Sequence, residues 1–155
     1  MMWSSIGVSG AAALVFATVS AGVIAFQLAL AAGAPWGAYA MGGAFPGRFP
    51  VALRIAAVVQ AAFFAVMVGV VVSRAGLGLV RWSSASRMLA WVVVAITAVS
   101  FVLNLITPSA GERAIWAPVA FLLLVSSAVV ARRGGSDPER GLRGGSSRKS
   151  QGRGW

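Results

Sequence analysis

Cysteine and histidine are both absent from this chain of 155 residues, and acidic residues number only three. Without thiols or imidazoles, the chain has no disulfides, no thiol redox chemistry, no haem ligation through imidazole and none of the usual zinc sites. No catalytic triad or paired carboxylate is available either. We therefore expect no enzyme activity, with no catalytic residue, no metal and no cofactor.

Charge is scarce as well, at 10% of residues, whereas 59% are hydrophobic. This balance differs strongly from that of soluble domains. It reflects long apolar runs at about residues 5–32, 51–73, 88–106 and 112–131. Each run is near the roughly 20 residues that a helix needs to cross a bilayer, where the backbone must satisfy its own hydrogen bonds. The sequence predicts an all-α fold, a four-helix transmembrane bundle over residues 1–131.

The first run has an alternative interpretation as a cleaved signal peptide, because Ala29, Leu30 and Ala31 resemble a small-x-small cleavage site. The residues before it, Met1 to Ser9, contain no Lys or Arg, and the run is longer than the apolar core of a signal. We therefore expect a retained helix.

Basic residues are distributed unevenly between the two sides that the four runs define. The side with both termini and the second loop carries Arg74, Arg81, Arg87, Arg132, Arg133, Arg140, Arg143, Arg148, Lys149 and Arg153. The opposite side carries only Arg48, Arg54 and Arg113. Because basic loops stay in the cytoplasm, this asymmetry predicts cytoplasmic termini.

Small residues recur at four-residue spacing in two runs, a pattern that allows helices in lipid to approach closely. One stripe is Ser9, Ala13, Ala17, Ala21, Ala25 and Ala29, and the other is Ala57, Ala61, Ala65, Gly69 and Ser73. We expect these faces to meet inside one bundle. A homo-oligomer interface is the alternative.

Polar side chains within the runs are few, and the most prominent are Gln27, Gln60 and Asn104. An unpaired amide near the bilayer midplane is unfavourable, so Gln60 should face the bundle and find a partner. An interhelical hydrogen bond is the simpler interpretation, and a ligand or water contact is the alternative.

The two loops opposite the termini contain the most distinctive residues of the chain. The segment at 33–50 has too many glycines and prolines for a regular helix, and its aromatics suggest a fold back onto the membrane surface. In the third loop, Ser109 and Glu112 have the spacing of a capping box, and Glu112 is also a candidate partner for Arg54.

The predicted site is a cluster of residues in these two loops and the adjoining helix ends, and it either binds a ligand or locks the loops together. Its members are Trp36, Tyr39, Arg48, Arg54, Asn104 and Glu112.

Three segments together resemble a family of small, uncharacterised bacterial integral membrane proteins with four predicted helices. They are PWGAYAMGG at 35–43, FPVALR at 49–54 and LNLITPSAGERAIWAP at 103–118, and the likeness covers about residues 30–131. The resemblance implies placement in the bacterial inner membrane and transfers no catalytic residue.

The tail at 132–155 is rich in Arg, Gly and Ser, and its composition predicts disorder. We expect its basic residues to contact anionic lipid headgroups rather than nucleic acid.

For the whole chain, the leading hypothesis is a structural, accessory or partner-binding membrane protein. The alternative is a transporter or channel subunit for a small solute that does not use a membrane-embedded carboxylate.

Overall fold

The computed structural model describes residues 7–77 and 85–133, and all regular structure in these ranges is helical. The four α-helices are α1 (Val8–Ala32), α2 (Val51–Arg74), α3 (Ala85–Ile106) and α4 (Ala110–Arg133). Two short 3-10 helices, Gly37–Tyr39 and Met41–Gly43, lie between α1 and α2. The all-α fold class is confirmed, and all four helices are long and apolar enough to cross a membrane. The predicted disordered tail lies outside the described residues, apart from Arg132 and Arg133, which continue α4.

A glycine and a proline delimit the connection between α1 and α2. Gly33 ends α1 with φ 99°, in the left-handed region that favours glycine, and its N–H donates to the carbonyl of Leu30 at 3.0 Å. Pro50 precedes α2 with φ −60°, near the value that its ring imposes. The 18 residues between α1 and α2, residues 33–50, form the segment that we call the cap.

The start of α4 confirms half of the predicted capping box. The Oγ of Ser109 accepts a hydrogen bond from the backbone N–H of Glu112 at 3.3 Å. The Glu112 carboxylate does not return to Ser109 but accepts a hydrogen bond from the Thr107 hydroxyl at 3.0 Å. The helix consequently begins at Ala110, two residues before the predicted start of the run at 112.

The helices form a ring that is closed on three sides. Helix α1 packs extensively against α2 and α4, and α3 packs extensively against α4, whereas α2 and α3 contact each other much less. The main core lies in the half of the bundle that holds the start of α1 and the end of α2, which we call the terminal end. Its buried residues are Ala13, Phe16, Met67, Val71, Val93, Leu123 and Val130. A smaller cluster of Leu30, Phe49 and Ala57 lies at the opposite end, the cap end.

The small-residue stripes do not meet along their length, so that prediction is wrong. Ala13 and Ala61 are buried, but Ala21 and Ala25 are exposed, and a Cβ added at Gly69 would contact nothing within 4 Å. Residues four apart advance by about 400° on a helix of 3.6 residues per turn, so such a stripe turns by about 40° at each step. The buried positions of α1 instead alternate three- and four-residue spacing: Gly10, Ala13, Phe16, Ser20, Val23, Gln27 and Leu30.

Two buried hydroxyls join α3 to α4 in the middle of the bundle. The Oγ1 of Thr97 and the Oγ of Ser127 lie 3.2 Å apart, within hydrogen-bond distance. Both side chains are almost fully buried, at 2% and 1% exposure. Such bonds between helices in an apolar environment contribute on average about 0.6 kcal/mol.

We expect Thr97→Val and Ser127→Ala to be coupled. A double-mutant cycle on the free energy of unfolding in mixed micelles should give an interaction of roughly 0.5–1 kcal/mol. Thr97→Val paired with Ser126→Ala is the control, because Ser126 donates to the Leu122 carbonyl of its own helix at 2.6 Å. Equal coupling in both cycles would contradict the prediction.

Candidate functional site

A cavity of about 510 Å³ occupies the cap-end half of the bundle. All four helices and the cap contribute to its wall, which is mostly apolar. Its aromatic residues are Phe26, Phe49, Phe63, Phe64 and Trp116. The volume falls in the range of about 300–1,000 Å³ that is typical of sites for small organic molecules.

The cavity opens to the surface beside α2. Gln60 and Phe63 both line it and are both exposed, so the wall is incomplete at these residues. Ser100 and Asn104 of α3 line the same cavity and are half-buried. Because α2 and α3 are the neighbouring pair with the least contact, we infer that the opening lies between these two helices.

Side-chain amides bring polar atoms to this apolar wall. Gln27 of α1 is 9% exposed, and its amide makes no hydrogen bond to any described residue. The amide of Gln60 is likewise unpaired within the described ranges. Asn104 donates from Nδ2 to the Ser100 carbonyl at 2.7 Å, which leaves its side-chain carbonyl as an acceptor. The cavity therefore offers both donors and acceptors to a molecule inside it.

Among the described residues, Glu112 is the one ionisable side chain in the cavity wall. One carboxylate oxygen accepts the hydrogen bond from Thr107, and none of the described basic residues lines the cavity beside it. Trp116 follows four residues later on α4, so the two side chains lie on the same face of the helix. Trp116 also contacts Phe26 edge to face, with ring centroids 4.7 Å apart.

The cap covers the end of the cavity and is held by hydrogen bonds to α4. Trp116 donates from Nε1 to the Tyr39 carbonyl at 2.7 Å, and the Ser109 hydroxyl donates to the Ala38 carbonyl at 3.4 Å. Met41 of the cap lines the cavity with φ 56°, a conformation unusual for a residue other than glycine. The predicted irregular fold of this segment is therefore observed as a cover over the bundle end.

The structure divides the six residues of the predicted cluster. Asn104 and Glu112 line the cavity. Trp36 and Tyr39 lie in the cap, where Trp36 stacks on Phe26 with ring centroids 6.1 Å apart. Tyr39 contributes its carbonyl to Trp116.

The two arginines of the cluster lie away from the cavity. Arg54 donates from Nε to the Ala31 carbonyl at 2.6 Å and makes no ion pair with Glu112, so the predicted pair is not formed. The physical reason is that Arg54, one turn into α2, lies beside the last turn of α1, whose carbonyls lack helical partners. Arg48 is exposed and makes no hydrogen bond to the described residues. A role of the cluster in ligand binding stays a prediction.

Sequence reasoning left Gln27, Gln60, Ser100, Met41 and Trp116 out of the predicted site. The hydrogen bond expected for Gln60 is not found among the described residues, because its side chain lies at the opening of the cavity. One signal was available in the sequence. Gln27, Gln60 and Asn104 are the side-chain amides within the apolar runs, and each belongs to a different helix. Their convergence depends on the separation of α2 from α3, which the residue pattern does not encode.

The chain matches no protein-family model, no curated protein and no solved structure. Its resemblance to small bacterial four-helix proteins stays a prediction.

We expect Gly37→Ala to destabilise the cap. An added Cβ would lie 2.0 Å from the Phe45 carbonyl oxygen and 2.8 Å from that of Gly47. Overpacking of this kind costs about 1–3 kcal/mol of unfolding free energy. Gly22→Ala is the control, because nothing lies within 4 Å of its added Cβ and alanine favours a helix. Equal unfolding free energies for the two variants would show that the close contact at Gly37 is absent.

Proposed function

We propose that this chain is a non-enzymatic, multi-pass protein of a bacterial inner membrane that holds a membrane-soluble small molecule in its cap-end cavity. The observation that carries the proposal is a mostly apolar cavity that is open at Gln60 and Phe63 and has the amides of Gln27 and Gln60 in its wall.

The outer surface of the bundle is suited to lipid. Large apolar side chains are exposed along the helices, among them Val51, Ile55, Val59, Val66 and Ile106, at 61–70% exposure. Monomeric soluble proteins rarely expose continuous apolar surface of this extent. Hydrocarbon solvates such side chains without penalty, so insertion explains why they point outward.

The depth of the opening favours access from lipid rather than from water. Gln60 lies nine residues after the start of α2, which corresponds to about 14 Å along the helix. That depth is about half of a hydrocarbon core roughly 30 Å thick. A molecule dissolved in the bilayer would therefore reach the amides of Gln60 and Gln27 directly.

The terminal end of the bundle favours binding over conduction. Phe16, Met67 and Leu123 belong to the buried core there, and Met67 and Leu123 also form the inner boundary of the cavity. A channel needs a polar path through both ends, and this core blocks one of them. Transport of a small solute would require the core to open.

An accessory role is the second candidate, and one observation favours it. Ala21, Gly22 and Ala25 of α1 are exposed, so a small-residue face points away from the bundle. Small residues on an outward face allow the helix of a partner or a second copy to approach closely. Co-purification of a stoichiometric protein partner that is lost in Gly22→Leu would support this role.

Filling the cavity should remove a bound molecule. We expect native mass spectrometry of the full chain, released from membranes, to show a bound small molecule whose occupancy falls about tenfold in Ala120→Phe. Tenfold corresponds to roughly 1.4 kcal/mol of binding free energy. Ala120 is buried and lines the cavity, whereas Ala62 is exposed and does not.

Ala62→Phe is therefore the matched control, and it should leave occupancy within a factor of about two, or 0.4 kcal/mol. Ala57→Leu repeats the test from α2, in case Ala120→Phe unfolds the protein. Occupancy that is equal in the cavity-filled and control variants would contradict the proposal.

Labelling of single cysteines tests the proposed orientation, because the natural chain has none. We expect an impermeant thiol reagent to label Ala38→Cys and Ala110→Cys in intact spheroplasts. Ser84→Cys and Ser147→Cys should react only after the membrane is permeabilised, since the basic side is proposed to be cytoplasmic. Labelling of the latter pair in intact cells would reverse the orientation.

A further inference from the structure

We propose that the molecule held in the cap-end cavity is an amphiphile with an organic ammonium head, which the Glu112 carboxylate and the Trp116 ring recognise. This inference rests on the proposed function and adds the chemical class of the ligand. Its three supports are the charge of the cavity, the aromatic groups beside that charge and the unsatisfied capacity for hydrogen bonds.

The charge of the cavity has one sign. Glu112 is the only acidic residue in the part of the chain that the structure describes, and its carboxylate lines the cavity. Thr107 donates one hydrogen bond to this carboxylate, and no described arginine forms an ion pair with it; the Arg113 guanidinium donates instead to the Thr107 carbonyl, at 3.2 Å. Because Glu112 is partly buried, its carboxylate attracts a cationic head more strongly than it would in bulk solvent, and it repels an anionic head.

Aromatic groups beside the carboxylate favour an organic cation. Trp116 lies one helical turn after Glu112 and lines the cavity, and its indole N–H is already bonded to the Tyr39 carbonyl. What the side chain offers a ligand is therefore the ring itself, beyond the part that contacts Phe26. A cation over an aromatic ring within about 6 Å gains roughly 0.5–2 kcal/mol, most of all at tryptophan. A carboxylate together with aromatic rings is therefore the chemistry that recognises alkylammonium groups.

The side-chain amide of Gln27 favours a bound ligand over a wall that serves only for packing. Gln27 is more than nine-tenths buried, lines the cavity and has no partner among the described residues. The amide atoms of Gln27 are not among the fully buried polar atoms, so an occupant of the cavity can form the hydrogen bond that the described residues leave unmade. The mostly apolar wall and the opening between α2 and α3 leave room for an alkyl chain that extends towards lipid.

The test uses the full chain in lipid nanodiscs and radiolabelled decyltrimethylammonium, with empty nanodiscs as the baseline for partition into lipid. Two chain-matched probes accompany it: decyl sulfate, and the neutral isostere in which carbon replaces nitrogen. We expect the ammonium probe to bind above the baseline. The neutral isostere and the sulfate should compete at least about tenfold more weakly.

Variants locate the binding. Glu112→Gln keeps an acceptor for the Thr107 hydroxyl and should weaken ammonium binding about tenfold while binding of the neutral isostere is unchanged. Trp116→Leu should weaken it about fivefold. Arg132→Gln, at the other end of α4 and outside the cavity wall, is the control for the loss of a charge and should change affinity less than about twofold.

The outcomes separate the inference from the function on which it rests. If the neutral isostere binds as tightly as the ammonium probe, and Ala120→Phe abolishes both, the ammonium head is refuted and the cavity function stands. If neither probe binds above empty nanodiscs and Ala120→Phe changes nothing, both proposals fail. Equal ammonium binding by the natural chain and Glu112→Gln also refutes the inference.

Discussion

The limited packing between α2 and α3 is the constraint on which the rest of this structure depends. Three of the four sides of the ring are closed by extensive helix contact, and on the fourth side Met67, Val71 and Val93 belong to one buried cluster near the terminal end. We infer that α2 and α3 separate towards the cap and that the space between them becomes the cavity. Had this side packed as tightly as the other three, the amides of the cap-end half would face one another instead of an empty volume.

Most polar groups divide into two sets that follow this geometry; the exception is the fully buried Ser20 hydroxyl, which has no hydrogen-bond partner among the described residues. In the closely packed part of the bundle, the buried hydroxyls of Thr97 and Ser127 lie within hydrogen-bond distance of each other, as expected where water is excluded. Around the cavity, the amides of Gln27 and Gln60 make no hydrogen bond to the described residues. The first set joins helices, and the second set is available to a ligand. A binding site in a small bundle can therefore arise from leaving one helix pair apart, with no dedicated loop or domain.

Much of the fold could be predicted from residue patterns, and the site only in part. Apolar run length determines where helices form, so the four helices agree with the predicted runs to within a few residues. Ser109 correctly indicated the start of α4 because a cap depends on neighbours three residues away. Arg54 shows where such reasoning stops: its partner, the Ala31 carbonyl, is a backbone atom with no signature in the sequence. Pairing by charge alone selected Glu112, which instead bonds to a hydroxyl five residues away.

The hydrogen bond between Arg54 and the last turn of α1 has a consequence for the chain as a whole. It fastens the start of one helix to the end of the preceding one, so the intervening residues begin and finish at a fixed separation. The entropic cost of closing the connection between α1 and α2 varies only slowly with the number of residues in it. Relatives of this protein could lengthen or shorten the middle of the connection without altering how the first two helices sit together. The residues that cover this end of the bundle can thus change without displacing α1 and α2.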